Sequence, residues 1–401
     1  MLSWRNLWRN RKRTLIAAAS VFFAVLLAVV MRSAQEGSYS YMISSSVKMH
    51  TGYMQVQKKG YWDDRSLDKS IVIDEARRRK ISHIDHITSI VPRLEAFSLV
   101  SFGKKTRVAE VIGIDPDAEN SMTELKKKLV QGIYPESGRD GVLVAQGLAD
   151  ILKVGIGGRL VLYGQGFHGQ IAAALLPVTG IVKFPISEMN NSMVYLPLSS
   201  AQNIFSASGR ITSLAVMIDD KANQEKVQKS LWSLLDKNMT IMTWQEMLPE
   251  LVQGIQMDNI SGLVMLIILY IIIAFGIFGT IMMMTSERAR EFGVLISVGM
   301  KKNRLIWVTT LETIFLSFLG AVFGALAGLP IISYLHNHPI PITGSAARAF
   351  DSMGLEPLFN FSAALHIFTI QGGVVLAIAL TTVLYPLLFI GRLKPVDAMR
   401  D

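Results

Sequence analysis

Long apolar runs alternate with polar stretches along the chain and predict four membrane-spanning helices. The runs cover residues 15–31, 260–284, 305–333 and 364–391. Each is about the length that a helix needs to cross a hydrocarbon core of ~30 Å. The helix of the first run is expected to continue to about residue 50.

The polar block between the first two spans, residues 32–258, predicts a mixed α/β domain. Alternating apolar and polar positions predict strands in RVAEVIGI, GRLVLYGQ and ITSLAVMIDD, whereas EARRRKIS and NQEKVQKSLW favour helices. The block is long enough to form its own core. Two subdomains are expected, divided near Asp115–Gly141 and again near Leu198–Arg210. The flanking stretch 239–260 is expected to prolong span two as a helix.

The fold class predicted from these patterns is a membrane protein. It has four transmembrane α-helices and a large mixed α/β extracytoplasmic domain inserted between helices one and two.

The distribution of charge predicts the topology. The chain carries +9 in total, of which residues 1–14 contribute +5, residues 285–304 contribute +3 and residues 392–401 contribute +1. An excess of basic residues beside the spans marks the cytoplasmic side and is not the pattern of a nucleic-acid surface. Both termini are therefore expected in the cytoplasm of a multi-pass inner-membrane protein, with the polar block and the loop 334–362 outside.

The opening segment, residues 1–14, predicts a cytoplasmic helix lying at the membrane interface. Trp4, Leu7 and Trp8 share one helical face, and the basic residues lie beside it. A retained anchor is expected instead of a cleaved signal peptide, because Arg32 would stand three residues before a cut after Ala34.

Catalytic and metal-binding patterns are weak in this chain. There is no cysteine. GQGFHG at 164–169 fits a dinucleotide-binding glycine pattern, but the residues after it predict a returning strand and hence a hairpin tip. The pairs His83/His86 and His336/His338 have no third ligand at a recognisable spacing. The chain is expected to be neither an enzyme nor a metal protein.

Two features lie inside the predicted spans. Gly320, Gly324 and Gly328 are four residues apart in span three, a spacing that lets another helix approach closely. Glu312 is the one acidic residue inside a span. It is either a functional intramembrane acid or a structural carboxylate that reaches the interface or pairs with Arg304.

The segment 285–304, between spans two and three, carries five basic and two acidic residues around the apolar sequence FGVLISVG. Ser286 is expected to cap a short amphipathic helix. Its apolar strip of Phe292, Leu295 and Ile296 has no expected partner within the chain, because the other cytoplasmic segments are short. The strip therefore predicts docking of a separate protein.

Several of these segments resemble one family. SERAREFGVLISVGMKKNRL, the opening WRNLWRNRKRTL, the ending GRLKPVDAMRD and the position of Glu312 are similar to the FtsX-like, MacB-type ABC transporter permeases. TWQEMLPELVQGIQMDNISG, which leads into span two, is most similar to the lipoprotein-releasing branch with LolC and LolE.

The resemblance implies a non-catalytic permease subunit that binds no cofactor. Its expected partners are two copies of a cytoplasmic ABC ATPase, which bind ATP and Mg²⁺, and a second permease that is identical or homologous. The expected substrate is a lipoprotein or another amphiphile, taken from the outer leaflet of the inner membrane. A periplasmic chaperone or adaptor is a further expected partner, and no nucleic acid is expected.

The resemblance also assigns roles to residues. The residues expected to couple the permease to the ATPase are Glu287, Arg288, Arg290, Glu291, Phe292, Gly293, Leu295 and Gly299. The hairpin with Gly164, Gly166 and Gly169 corresponds to an acceptor-binding hook, although it lacks the proline-bearing insertion expected of one.

Two other functions stay open at this point. A MacB-type efflux permease for drugs, peptides or toxins has the same spans, usually with an ATPase fused before the first span. A membrane sensor with an extracytoplasmic ligand domain is the second alternative, and it would need a larger cytoplasmic output domain.

Overall fold

The computed structural model describes residues 11–136, 141–352 and 357–392, which divide into two compact units. Within the described residues the helical unit comprises 11–41, 254–341 and 358–392. The α/β unit comprises 42–253 and 342–357. Residues 1–10 of the predicted interfacial helix 1–14 and residues 393–401 of the predicted tail 392–401 lie outside the described residues.

The elements follow in chain order. The helices are α1 (Arg11–Ser46), α2 (Glu75–Ser82), α3 (Pro116–Thr123), α4 (Gln146–Leu152), α5 (Ser187–Ser192), α6 (Leu198–Ile204), α7 (Gln224–Trp232), α8 (Trp244–Met247), α9 (Pro249–Glu287), α10 (Ala289–Ser297), α11 (Lys302–Asn337), α12 (Ser345–Ser352), α13 (Leu365–Thr382) and α14 (Leu384–Arg392). The strands are β1 (Met54–Lys58), β2 (Ile87–Phe102), β3 (Lys105–Ile114), β4 (Leu129–Gly132), β5 (Val142–Ala145), β6 (Arg159–Gln165), β7 (Ile171–Val182), β8 (Met193–Pro197), β9 (Ser213–Ile218), β10 (Met239–Thr243), β11 (Ile340–Pro341) and β12 (Leu358–Phe359).

Four helices are long and apolar enough to cross a membrane: Leu15–Thr51, Pro249–Glu287, Lys302–Asn337 and Leu365–Arg392. The predicted fold class, four such helices with a mixed α/β domain between the first two, is confirmed. Helix α1 runs to Ser46 and a π-helical turn continues it to Thr51. The fourth span is interrupted at Val383, just before Pro386. A proline cannot donate to the preceding turn, which accounts for the interruption.

The α/β unit is built on one ten-stranded sheet with the order β10-β1-β9-β2-β3-β8-β5-β7-β4, and β6 pairs with both β2 and β7. Two hydrophobic cores pack against it. One contains Met54, Ile81 and Leu231, and the other contains Leu94, Leu143 and Leu196. The sixteen-residue strand β2 belongs to both, because its first half pairs with β9 and its second half with β6.

Two sequence-based boundaries differ from those of the structure. The division between the cores falls within β2, between Ile90 and Leu94, and not near Asp115–Gly141. The amino-acid composition does not change along this long strand where one core ends and the next begins, so the sequence contains no signal for the boundary. The stretch 239–260 prolongs span two as predicted from Pro249 onward, whereas Met239–Thr243 pairs with β1 as a strand.

Buried charges lie on β2 where the two cores meet. The Arg93 guanidinium donates to both carboxylate oxygens of Glu119 at 2.6 and 2.8 Å, and both side chains are 1% exposed. The carboxylate of Glu95 accepts from the Tyr61 hydroxyl at 2.8 Å. A buried bidentate ion pair of this kind fixes the register of the elements that carry it, because either charge alone would be costly there.

Glu110 on β3 is a half-buried acid on the same face of the sheet. Burial, followed by the negative charge of Glu95, raises the pKa of Glu110 to about 7. The folded chain therefore keeps this proton between about pH 4.5 and 7, where the unfolded chain has lost it. The free energy of unfolding consequently falls as pH rises through that window.

We expect Glu110→Gln to remove this fall in the free energy of unfolding with rising pH. The ionised carboxylate costs the fold up to about 3 kcal/mol above pH 7. The unfolding temperature of the variant in detergent should therefore exceed that of the wild type at pH 8 and approach it at pH 5. Glu225→Gln, at an exposed acid of α7, is the control. An equal effect of the two substitutions, or a Glu110 effect independent of pH, would contradict the assignment.

Candidate functional site

The segment between spans two and three forms a short helix held between two turns. Helix α9 ends at Glu287, and Arg288 leaves helical geometry with φ −96° and ψ 3° before α10 begins. After Ser297 the chain reverses at Gly299, whose φ of +102° is a conformation that favours glycine. Ser286 does not cap this helix. It lies within α9, and its hydroxyl donates to the Met283 carbonyl.

One face of α10 is buried within the helical unit. Phe292 is 1% exposed and packs with Leu305 of span three and Ile390 of span four. The expectation that Phe292 lies on an unpartnered strip is therefore wrong. Gly293 is buried beside it. The inward face of the predicted docking helix anchors it to its own chain.

The other face of this segment is exposed and apolar. Leu295, Val298 and Trp307 are 39%, 83% and 66% exposed. They line an open groove together with the basic residues Lys301 and Arg304. Among the other predicted coupling residues, Glu287, Arg290 and Glu291 are exposed and Arg288 is turned inward.

Arg288 is the partner of the intramembrane acid. Its Nη1 lies 2.8 Å from Oε2 of Glu312, and the side chains are 11% and 6% exposed. The sequence pointed to Arg304, which is exposed and forms no ion pair with Glu312 among the residues that the structure describes. A cavity of about 30 Å³ adjoins the pair, and its polar lining consists of Thr280, Thr285, Thr309, Thr313 and Ser317.

Two of the three glycines of span three lie where helices approach most closely. A Cβ on Gly320 would lie 2.7 Å from the Ala18 carbonyl oxygen, and one on Gly324 would lie 2.6 Å from that of Phe22. Both contacts are too short for any side chain. A Cβ on Gly328 would have neighbours at 3.5 Å or more, which is ordinary contact.

The hairpin with Gly164, Gly166 and Gly169 joins β6 and β7, and its tip is attached to the body of the α/β unit. The Phe167 amide donates to the Phe205 carbonyl at 2.8 Å, and the His168 amide donates to the Asp68 carboxylate at 2.7 Å. The Arg210 guanidinium lies over the Phe167 ring, 4.2 Å from its centroid. These contacts hold the tip of the hairpin against the α/β unit.

The strands beside this hairpin expose an apolar surface that the sequence did not predict. Leu99 pairs with Val108 on one side and with Tyr163 on the other, which puts the three side chains in one row. The exposed apolar residues of this sheet face are Phe97, Leu99, Val108, Val161, Tyr163, Ile171 and Leu175. The alternate residues of the same strands fill the core below.

Two family models together cover most of the chain. A MacB-like periplasmic core domain matches residues 14–234, and an FtsX-like permease C-terminal region matches residues 263–395. This chain belongs to the FtsX-like, MacB-type ABC transporter permeases. The membrane helices, the inserted domain and the short helix between spans two and three are thus those of a permease.

Individual relatives of the permease are distant. The lipoprotein-releasing system transmembrane protein LolC of Neisseria meningitidis is 18% identical over 79% of this chain and 76% of its own length. The macrolide export ATP-binding/permease protein MacB of Burkholderia pseudomallei is 20% identical over 80% of this chain, which spans about half the length of that relative. The periplasmic region of MacB from Actinobacillus actinomycetemcomitans aligns with a TM-score of 0.37 at 22% identity, covering 49% of this chain and 90% of that one.

Substitutions at the glycines of span three test the packing of the permease. We expect Gly320→Val and Gly324→Val to force spans one and three apart and to destabilise the helical unit by about 1–3 kcal/mol. Thermal unfolding in detergent, followed by the loss of monodisperse protein, measures this effect. Gly276→Val in span two is the matched control, since a Cβ placed there would have no neighbouring atom within 4 Å. Equal losses at Gly276 and Gly320 would contradict the assignment.

Proposed function

We propose that this permease couples ATP hydrolysis by a separate cytoplasmic ATPase subunit to movement of its periplasmic domain. It extracts lipoproteins or similar amphiphiles from the outer leaflet of the inner membrane. The segment between spans two and three is the part that the ATPase holds. In this arrangement both termini are cytoplasmic, and a second permease, identical or homologous, completes the transporter.

The observation that carries the proposal is the two-sided character of α10. Its inner face is fastened to spans three and four through Phe292, whereas Leu295 and Val298 lie exposed on the other face. An exposed apolar patch with a basic rim fits a protein partner better than it fits water. A force applied to the outer face is transmitted to the spans because the inner face is packed against them.

Two observations support an amphiphilic cargo. The LolC relative, whose name describes lipoprotein release, aligns over most of its own length. The exposed sheet face around Leu99, Val108 and Tyr163 offers a contiguous apolar surface in the periplasmic domain. Such a surface suits an acyl-bearing cargo or a protein that accepts it.

Efflux in the manner of MacB is the second candidate, and it is supported by relatives that align over 80% of this chain. The two candidates differ in cargo chemistry. A lipoprotein carries long acyl chains and leaves the membrane with them, whereas an exported drug or peptide has no such anchor.

Docking of the ATPase is tested by replacing apolar residues of the exposed face of the coupling segment with charged ones. We expect Leu295→Asp combined with Val298→Asp to abolish retention of the ATPase subunit after mild detergent extraction, because two charges replace the apolar contact. Vanadate-sensitive ATP hydrolysis in the purified fraction, together with the protein bands that accompany the permease, measures retention.

The control for this experiment is Val72→Asp, at an exposed apolar residue of the α/β unit. It should leave ATPase retention unchanged. Phe292→Asp is not an informative variant, since that side chain belongs to the buried anchor. Full retention of the ATPase by the Leu295→Asp/Val298→Asp variant would refute the docking role.

Cargo is tested in proteoliposomes that contain the permease and its ATPase. We expect ATP to release a triacylated lipoprotein to a soluble acceptor, because extraction of an acyl anchor is the step that needs energy. The same protein without its acyl chains is the matched control, and sedimentation of the vesicles separates bound from released cargo. Absence of lipoprotein release, with ATP-driven transport of a macrolide instead, would favour the efflux function.

A further inference from the structure

The ion pair between Arg288 and Glu312 joins the coupling segment to span three. Arg288 lies at the single non-helical residue between α9 and α10, and Glu312 lies on α11, twenty-four residues further along. The Nη1–Oε2 distance of 2.8 Å is that of a charge-assisted hydrogen bond. The residue that sets the angle between span two and the coupling helix is therefore held by span three.

The surroundings make this link strong. Both side chains are nearly buried, so their attraction is weakly screened. Within the described part of the chain, Arg288 is the one cation within 4 Å of the Glu312 carboxylate. Removal of Arg288 would leave the Glu312 carboxylate buried without a counter-charge, which strongly favours keeping the pair together.

Arg288 also contacts the first turn of the coupling helix itself. Its Nε lies 3.5 Å from a carboxylate oxygen of Glu291, and its guanidinium carbon lies 5.2 Å from the centroid of the Phe292 ring. One side chain therefore touches the coupling helix on one side and span three on the other. A rotation of α10 cannot leave Glu312 unaffected while these contacts persist.

Glu312 stands on the stripe of span three that packs against span one. Leu316, one turn further, packs with Ala17, and Gly320 touches the backbone at Ala18. A small cavity of about 30 Å³ adjoins the pair, and Ala17 of span one and Leu316 of span three both line it. The contacts thus form a continuous path from the coupling helix to span three and on to span one.

We propose that Arg288 is a positioning residue that transmits movement of the coupling helix to span three through Glu312, and is not a residue of the ATPase contact itself. The proposal rests on the proposed function, since it requires an ATPase that moves α10. Arg288 and Glu312 then have one joint role. The exposed face of α10 binds the ATPase, and its buried face transmits the force to the spans.

The test measures movement and docking separately in the complex of permease and ATPase, reconstituted in phosphatidylethanolamine–phosphatidylglycerol vesicles. The chain has no cysteine, so spin labels on Met257→Cys and Tyr334→Cys occupy defined positions at the exposed outer parts of spans two and three. Pulsed electron paramagnetic resonance gives the distance between them, without nucleotide and after trapping with ATP and vanadate.

We expect the wild-type distance to shift on trapping. Arg288→Gln and Glu312→Gln should lose this shift while they retain the ATPase and its basal hydrolysis within about twofold. The reversed pair Arg288→Glu/Glu312→Arg should recover part of the shift, because it restores the ionic link although the new carboxylate at position 288 lies near that of Glu291. Arg77→Gln is the matched control, as it removes a partly exposed arginine that lies 2.6 Å from Asp236 in the α/β unit.

Each other outcome is decisive. A full shift in Arg288→Gln, or loss of the ATPase from that variant, would overturn the positioning role. A folded reversed pair that stays uncoupled would overturn the ionic mechanism. If the Arg288→Gln variant does not accumulate, Glu312→Asp is used in its place. This substitution keeps the negative charge but shortens the side chain, so the carboxylate no longer reaches Arg288. An undiminished distance shift in Glu312→Asp would count against the proposal. If the distance between the spin labels in the wild-type complex does not change on trapping although the ATPase is bound, the proposed coupling function is refuted instead.

Discussion

A peptide backbone inside a hydrocarbon layer has to satisfy every N–H and C=O group within its own helix. The four spans are accordingly helices of 28 to 39 residues, and the fourth is interrupted at Val383, just before a proline. Rigid spans concentrate the possible movement in the short connections. The nine-residue helix α10 is such a connection, and its position relative to the spans is set by a few side chains.

The same cost of burying charge explains two parts of the molecule. In the α/β unit, Arg93 and Glu119 are both 1% exposed and hold β2 to α3 where the two cores meet. In the helical unit, Arg288 and Glu312 hold a helix break to span three. Neither pair is evidence of high stability, because desolvation offsets much of the attraction. Each does fix one arrangement of the elements that carry it, which is the property that a mechanical coupling requires.

Much of the fold could be predicted from local patterns. Strands β3, β6 and β9 and helices α2 and α7 follow from alternation and periodicity, as do the four spans. The short edge strand β4 and the strands β1 and β10 escaped prediction, because five or fewer residues beside a helix give little periodic signal. The boundary within β2 also escaped prediction. The core that a residue of this strand enters is decided by neighbouring strands that are far away in sequence.

The contacts of the coupling segment also depend on residues that are distant in sequence, and this limited what could be predicted for it. FGVLISVG is apolar on two faces, and sequence alone shows no difference between the face that packs on Leu305 and Ile390 and the face that stays exposed. Spacing along one helix suggested Arg304 for Glu312, whereas the acid pairs with Arg288 in the turn between α9 and α10. A helix that must hold its own chain on one side and a partner on the other has to be apolar on both. Assigning each face therefore requires the packing of the spans, which no local pattern contains.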